Sequence, residues 1–120
     1  VLALAPPPGA PGWTIGLGDD GARREVMLTH AALSGSGMAV KGPHLIDPRT
    51  GQPALRSGRA WALAPAAAVA DALSTAFFVL ADAQVEACCL EHGPIGAAVV
   101  GPDGALVFFG AIKPCVVGPS

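Results

Sequence analysis

Asp71, Ser74 and Thr75 lie three and four residues apart in a run otherwise made almost entirely of alanine, leucine, valine and phenylalanine. Positions at that spacing share one face of a helix, so a carboxylate stands beside two hydroxyls. A carboxylate buried in an apolar helix is costly unless it is paired or bound to a cation. One carboxylate with hydroxyl oxygens suits a hard cation such as Mg2+ that also holds substrate phosphate. The plainer reading of the same residues is structural: Ser74 and Thr75 bond back to the helix backbone and Asp71 pairs with an arginine. The spacing alone admits both.

Two further stretches carry chemistry. In Leu33-Ser34-Gly35-Ser36-Gly37 the glycines would let backbone approach a ligand closely, and the serines would add donors for phosphate oxygens. The stretch matches neither a Walker loop nor a dinucleotide fingerprint, and short Ser/Gly runs of this kind are mostly flexible turns. In His44-Leu45-Ile46-Asp47-Pro48-Arg49-Thr50-Gly51, Asp47-Pro48 opens a turn that Gly51 closes. The Asp47 side chain has local work there, bonding backbone N–H groups further on. On residue type alone His44 reads as a loop histidine.

The elements that position these residues follow from pattern. Trp13–Leu17 and Arg23–Thr29 alternate as strands around the turn Gly18-Asp19-Asp20-Gly21, and His30 ends the second as a partly exposed loop residue. Arg59–Leu63 is a strand that runs straight into a helix from Pro65 to Asp82, with Pro65 in its first turn. Nearly every face of that helix is apolar, which predicts burial. A second helix covers Gln84–Glu91, with His92 as its cap and Gly93 as the stop. Ile95–Val100 and Ala105–Phe109 form a hairpin around Pro102-Asp103-Gly104. Residues 1–12, rich in proline and glycine, read as a flexible lead-in, and Lys113–Ser120 as a loose end. The order predicts an α+β fold of antiparallel strands packed on helices.

Composition bounds the function. A chain of 120 residues holds one domain with a modest core. A net charge of −2 and the absence of tyrosine argue against a nucleic acid or an anionic membrane as partner. Trp61–Leu80 is long enough to consider as a membrane span, but Pro65 and the central Asp71 count against one. Cys88, Cys89 and Cys115 fit no zinc spacing and read as small buried hydrophobes. The start at Val1 lacks the features of a signal peptide and suggests a position inside a longer polypeptide.

Taken together, the blocks Leu33–Gly37, His44–Gly51 and Ala70-Asp71-Ala72-Leu73-Ser74-Thr75-Ala76 resemble the FAD:protein FMN transferases. These are the ApbE-type flavin transferases, once labelled thiamine-biosynthesis lipoproteins. The order and spacing of the blocks also fit, from Trp13 to Phe109. The resemblance implies a T-fold-like flavin transferase domain, with residues 13–120 as its C-terminal part and its N-terminal half not present in this chain. An apolar face left uncovered over residues 13–110 is then expected.

The resemblance further implies Mg2+-dependent transfer of FMN from FAD to a threonine hydroxyl of a target protein, with release of AMP. The alternatives are an FAD pyrophosphatase that gives FMN and AMP at the same site, or an inactive flavin-binding fragment. By resemblance Asp71 and Thr75 supply side-chain oxygens to the metal, and Ser34 and Gly35 lie near the pyrophosphate with Asp47 in the same flavin-nucleotide site. His44 lies near the reacting phosphate, where an imidazole can take the proton of the attacking hydroxyl. Two departures stand out: Leu33 replaces a common threonine, and Ser36-Gly37 replaces an Asp-Tyr pair. The implied setting is the cell envelope or cytoplasm of a bacterium, with no export signal visible in this chain.

Overall fold

The computed structural model describes residues 2–3, 8–9, 12–18, 24–37, 59–100 and 105–117. Its elements in chain order are β1 (Leu2–Ala3), β2 (Trp13–Leu17), β3 (Arg24–Leu28), β4 (Ala31–Gly37) and β5 (Arg59–Ala64). They continue with α1 (Ala67–Val79), α2 (Asp82–Glu91), β6 (Gly96–Val100), β7 (Leu106–Gly110), a 3-10 turn (Lys113–Cys115) and β8 (Val116–Val117). The fold is α+β. A five-stranded sheet runs β1-β4-β5-β6-β7 and a three-stranded sheet runs β2-β3-β8, with every pairing antiparallel.

The larger sheet is covered on both faces, and the period of two along its strands divides the core in two. Ala60, Ala62 and Ala64 of β5 join Phe77, Phe78 and Val85 from the helices in one buried cluster. The intervening Trp61 and Leu63 join Leu17, Val26 and Leu28 from the small sheet in the other. Alanines on the helix side let the α1 backbone come close to the sheet, and the two phenylalanines fill the remaining space. Each phenylalanine side chain, fully buried, contributes roughly 1.5–3 kcal/mol. Helix α1 lies over β4 and β5, whereas α2 lies over β6 and β7.

The chain passes from the small sheet to the large one at Thr29-His30, and exposed His30 takes φ 52 to make the turn. Histidine is among the residues that tolerate that left-handed region better than most. Gly110 closes β7 at φ 68, where a Cβ would meet the Ile95 carbonyl oxygen at 2.5 Å.

Several expectations shift. The long helix ends at Val79, and Leu80 and Ala81 are extended before α2 begins at Asp82. Asp82 therefore sits in the first turn of α2, where the helix dipole favours a carboxylate. The Gln84 side chain accepts a hydrogen bond from the Ala81 N–H at 3.0 Å, which completes the start. Pro65 stands before the helix, not in its first turn, since Ala66 is the N-cap. Helix α1 is not buried all round: Ala67 and Ala68 in its first turn are exposed, as are Val69 and Ala72 further along. Alanine gains little from burial, so apolar composition overstates how far such a helix is enclosed.

Leu33–Gly37 is no loop but the body of β4, paired with β5 from Gly37↔Arg59 to Leu33↔Leu63. Leu2–Ala3 adds to the edge of the same sheet opposite Ala31 and Ala32. The stretch read as a loose end contains the 3-10 turn and β8, which pairs with β3. Among the described residues, no helix is long and apolar enough to cross a membrane.

Candidate functional site

Strand β4 and helix α1 meet in a cluster of five oxygen-bearing side chains. Ser34 and Ser36, two apart on the strand, face the helix, while Leu33, next to Ser34, turns to the opposite core. Ser34 Oγ donates to Asp71 Oδ1 at 3.1 Å. Ser36 Oγ lies 2.9 Å from Ser74 Oγ and 3.2 Å from Thr75 Oγ1. Ser74 Oγ donates to the Asp71 carbonyl at 2.9 Å, and Thr75 Oγ1 reaches the same carbonyl at 3.5 Å. The i, i+3, i+4 spacing on α1 thus meets the i, i+2 spacing on β4.

The local sequence explains this junction. Ala70, Ser74, Phe77 and Phe78 form the inner face of α1, so Asp71 and Thr75 fall on its border. Both are exposed, while Ser74 is fully buried. The expectation of a buried carboxylate is therefore corrected. Asp71 is solvated, and the cost of desolvation no longer argues for a cation. What remains is the chemistry of the donors: a carboxylate and a threonine hydroxyl, one turn apart at the solvent edge.

That donor set fits a hard cation that keeps part of its water and takes oxygens from a phosphate ligand. It does not amount to an all-protein cage. Among the described residues, no three His, Cys, Asp or Glu side chains gather to hold a metal. The structural alternative is partly realised too, since Ser74 bonds back to the helix, but Asp71 meets a serine.

Gly35 has a structural reason to be glycine. It pairs with Trp61 on the face away from α1, and a Cβ there would lie 2.9 Å from the Trp61 indole and from the Arg59 guanidinium. Arg59 stacks over the Trp61 ring at 5.1 Å, and Arg24 stacks over Phe108 at 5.6 Å on the neighbouring part of the sheet. His44 and Asp47 lie outside the described residues.

By sequence, Ser36 reads only as a donor to phosphate and Ser74 only as a hydroxyl beside Asp71, and neither is joined to the other across strand and helix. The strand period was the signal that could have found Ser36: once Leu33–Gly37 is a strand, Ser34 and Ser36 must share a face. Ser74 required the packing of α1, which buries it against that face.

The cysteines are free. Burial pushes the Cys89 thiol up to about 11, helped by Cys88 and Glu86 and opposed by Lys113. Burial also raises Cys88 and Cys115 above the ordinary thiol value.

An α+β domain with paired antiparallel sheets and hydroxyls gathered around one helix carboxylate has relatives among known proteins. The ApbE family model matches residues 1–99, and this chain belongs to the ApbE family. Among solved structures it is similar to a mutant form of the flavin transferase ApbE from Vibrio cholerae, with a TM-score of 0.68 at 20% identity. The alignment covers 92% of this chain and 40% of that one, so this chain spans well under half of the solved protein. At that identity the likeness is one of fold. Comparison with curated proteins gives no match.

Proposed function

We propose that the full-length protein transfers FMN from FAD to a threonine hydroxyl of an acceptor protein, requires Mg2+, and releases AMP. The observation that carries this reading is the meeting of Ser34 with Asp71 and of Ser36 with Thr75, in a chain of the ApbE family. The fold shared with a flavin transferase supports the same assignment.

In this reaction the threonine oxygen attacks the FMN phosphorus of FAD. A phosphorus–oxygen bond forms to threonine, and the bond to the AMP phosphate breaks. AMP leaves with the bonding pair, and the hydroxyl proton passes to His44 as general base. Asp71 and Thr75 would hold the cation, which when bound would supply positive charge against the pyrophosphate. Ser34 orients the Asp71 carboxylate through the bond to Oδ1. Gly35 and Asp47 belong to the same nucleotide-binding reading. An acceptor protein and FAD are the partners, and the cell envelope or cytoplasm of a bacterium is the setting proposed for them.

The test follows AMP release by chromatography after the full-length protein is mixed with FAD, Mg2+ and a threonine-bearing acceptor. AMP should appear with Mg2+ and cease when a chelator is added. AMP with free FMN and an unmodified acceptor, across several acceptors, would make the protein an FAD pyrophosphatase. No AMP under any condition would overturn both.

A further inference from the structure

The hydrogen bonds between β4 and α1 have a direction that can be counted. Each serine or threonine hydroxyl has one hydrogen to give and two positions at which to accept. Ser74 gives its hydrogen to the Asp71 carbonyl at 2.9 Å. It can then only accept from Ser36 in their 2.9 Å contact, so Ser36 is the donor. With that hydrogen spent, Ser36 accepts in its 3.2 Å contact with Thr75, and Thr75 donates. The competing acceptor for Thr75 is the Asp71 carbonyl. It is farther away, at 3.5 Å, and already takes the Ser74 hydrogen.

The hydrogens therefore run inward, from exposed Thr75 through Ser36 to fully buried Ser74 and on to the helix backbone. The Thr75 oxygen has no hydrogen left for a ligand, but its lone pairs remain. Such an oxygen suits a cation and makes a poor partner for a phosphate oxygen, which needs a donor. We infer that Ser36 and Ser74 form a one-way hydroxyl relay that presents the Thr75 oxygen to a divalent cation. In this relay Ser36 is a positioning residue. The inference rests on the proposed role of Asp71 and Thr75 in holding that cation, and it deepens that role.

The test uses Mn2+ as a spectroscopic probe, with free and bound ion separated by electron paramagnetic resonance in the full-length protein. Wild type is compared with Ser36→Ala, Ser36→Thr and Ser74→Ala, and circular dichroism verifies the fold of each. Loss of an outer partner typically weakens metal binding by 10–100-fold, so Ser36→Ala and Ser74→Ala should each weaken it by roughly tenfold. Ser36→Thr keeps a hydroxyl on the strand and should restore most of the affinity.

Equal Mn2+ affinity in wild type and folded Ser36→Ala, or a Ser36→Thr variant as impaired as Ser36→Ala, overturns the relay and leaves the cation role of Asp71 and Thr75 intact. Should Ser36→Ala fail to fold, the comparison passes to Ser74→Ala, where unchanged affinity overturns the relay equally. A wild-type protein that binds no Mn2+ overturns the cation role itself, and the relay with it.

Discussion

Ser34 on strand β4 gives its hydroxyl hydrogen to the Asp71 carboxylate on helix α1 across 3.1 Å, although 37 positions separate the two residues in the chain. The bond draws the carboxylate toward the strand at the solvent edge of the helix. It also makes the relative placement of strand and helix a determinant of the site's geometry.

Asp71→Asn keeps the side-chain shape and an oxygen that can accept from Ser34, but removes the charge. Flavin transfer by the full-length protein should then fall by about a hundredfold or more, since a direct cation ligand matters at least as much as an outer partner. The thermal midpoint should hardly move, because Asp71 is exposed. Steady-state kinetics beside a melting curve tests both halves. Unchanged turnover would remove Asp71 from the site.

Thr75→Val replaces a hydroxyl with a methyl group of similar volume. The Mg2+ concentration for half-maximal activity should rise at least tenfold, by the scale of weakened metal binding, while folding survives. Thr75→Ser should recover much of the loss. A valine variant with wild-type Mg2+ dependence would contradict the role given to this oxygen.

Much of this arrangement was legible in the sequence, and what was missed has identifiable causes. The i, i+3, i+4 spacing placed Asp71, Ser74 and Thr75 on one helix face, alternation marked β2 and β3, and short apolar runs beside the helices marked β5, β6 and β7. The Ser-Gly stretch misled because glycine and serine are turn formers. Here Gly35 is required by the indole and guanidinium of the paired strand, which only the register reveals. The Asp71 environment misled because an alanine-rich helix looks buried on every side, whereas α1 buries one face and leaves Asp71 at its border. The stop at Val79 carries no glycine or proline, so nothing but the favourable start of α2 marks it.

Gly35→Val should destabilise the domain by about 1–3 kcal/mol, the usual cost of overpacking. Its first added carbon already falls 2.9 Å from Trp61, a ring that cannot swing aside as an arginine tip can. Urea unfolding of the full-length protein reads this directly. A variant as stable as wild type would show that the indole can yield.

Cys89 offers a pH test of the packing under α2. Its folded value, about 11, lies above the ordinary thiol value of 9.0 because burial opposes the thiolate. The neutral thiol is the form the fold favours, so this contribution to stability is complete below pH 9 and declines as pH rises toward 11. The unfolding midpoint should fall over that window, and less steeply in Cys89→Ala. The same burial predicts slow alkylation of Cys89 at neutral pH, which mass mapping of labelled peptides measures.

Flavin transfer is read directly from the intact mass of an acceptor protein incubated with the full-length protein, FAD and Mg2+. A covalent FMN increment on one threonine is expected. That increment should be lost when the threonine is replaced by valine, and lost again with Asp71→Ala or His44→Ala. An acceptor of unchanged mass, while FAD is consumed to free FMN and AMP, would contradict flavin transfer.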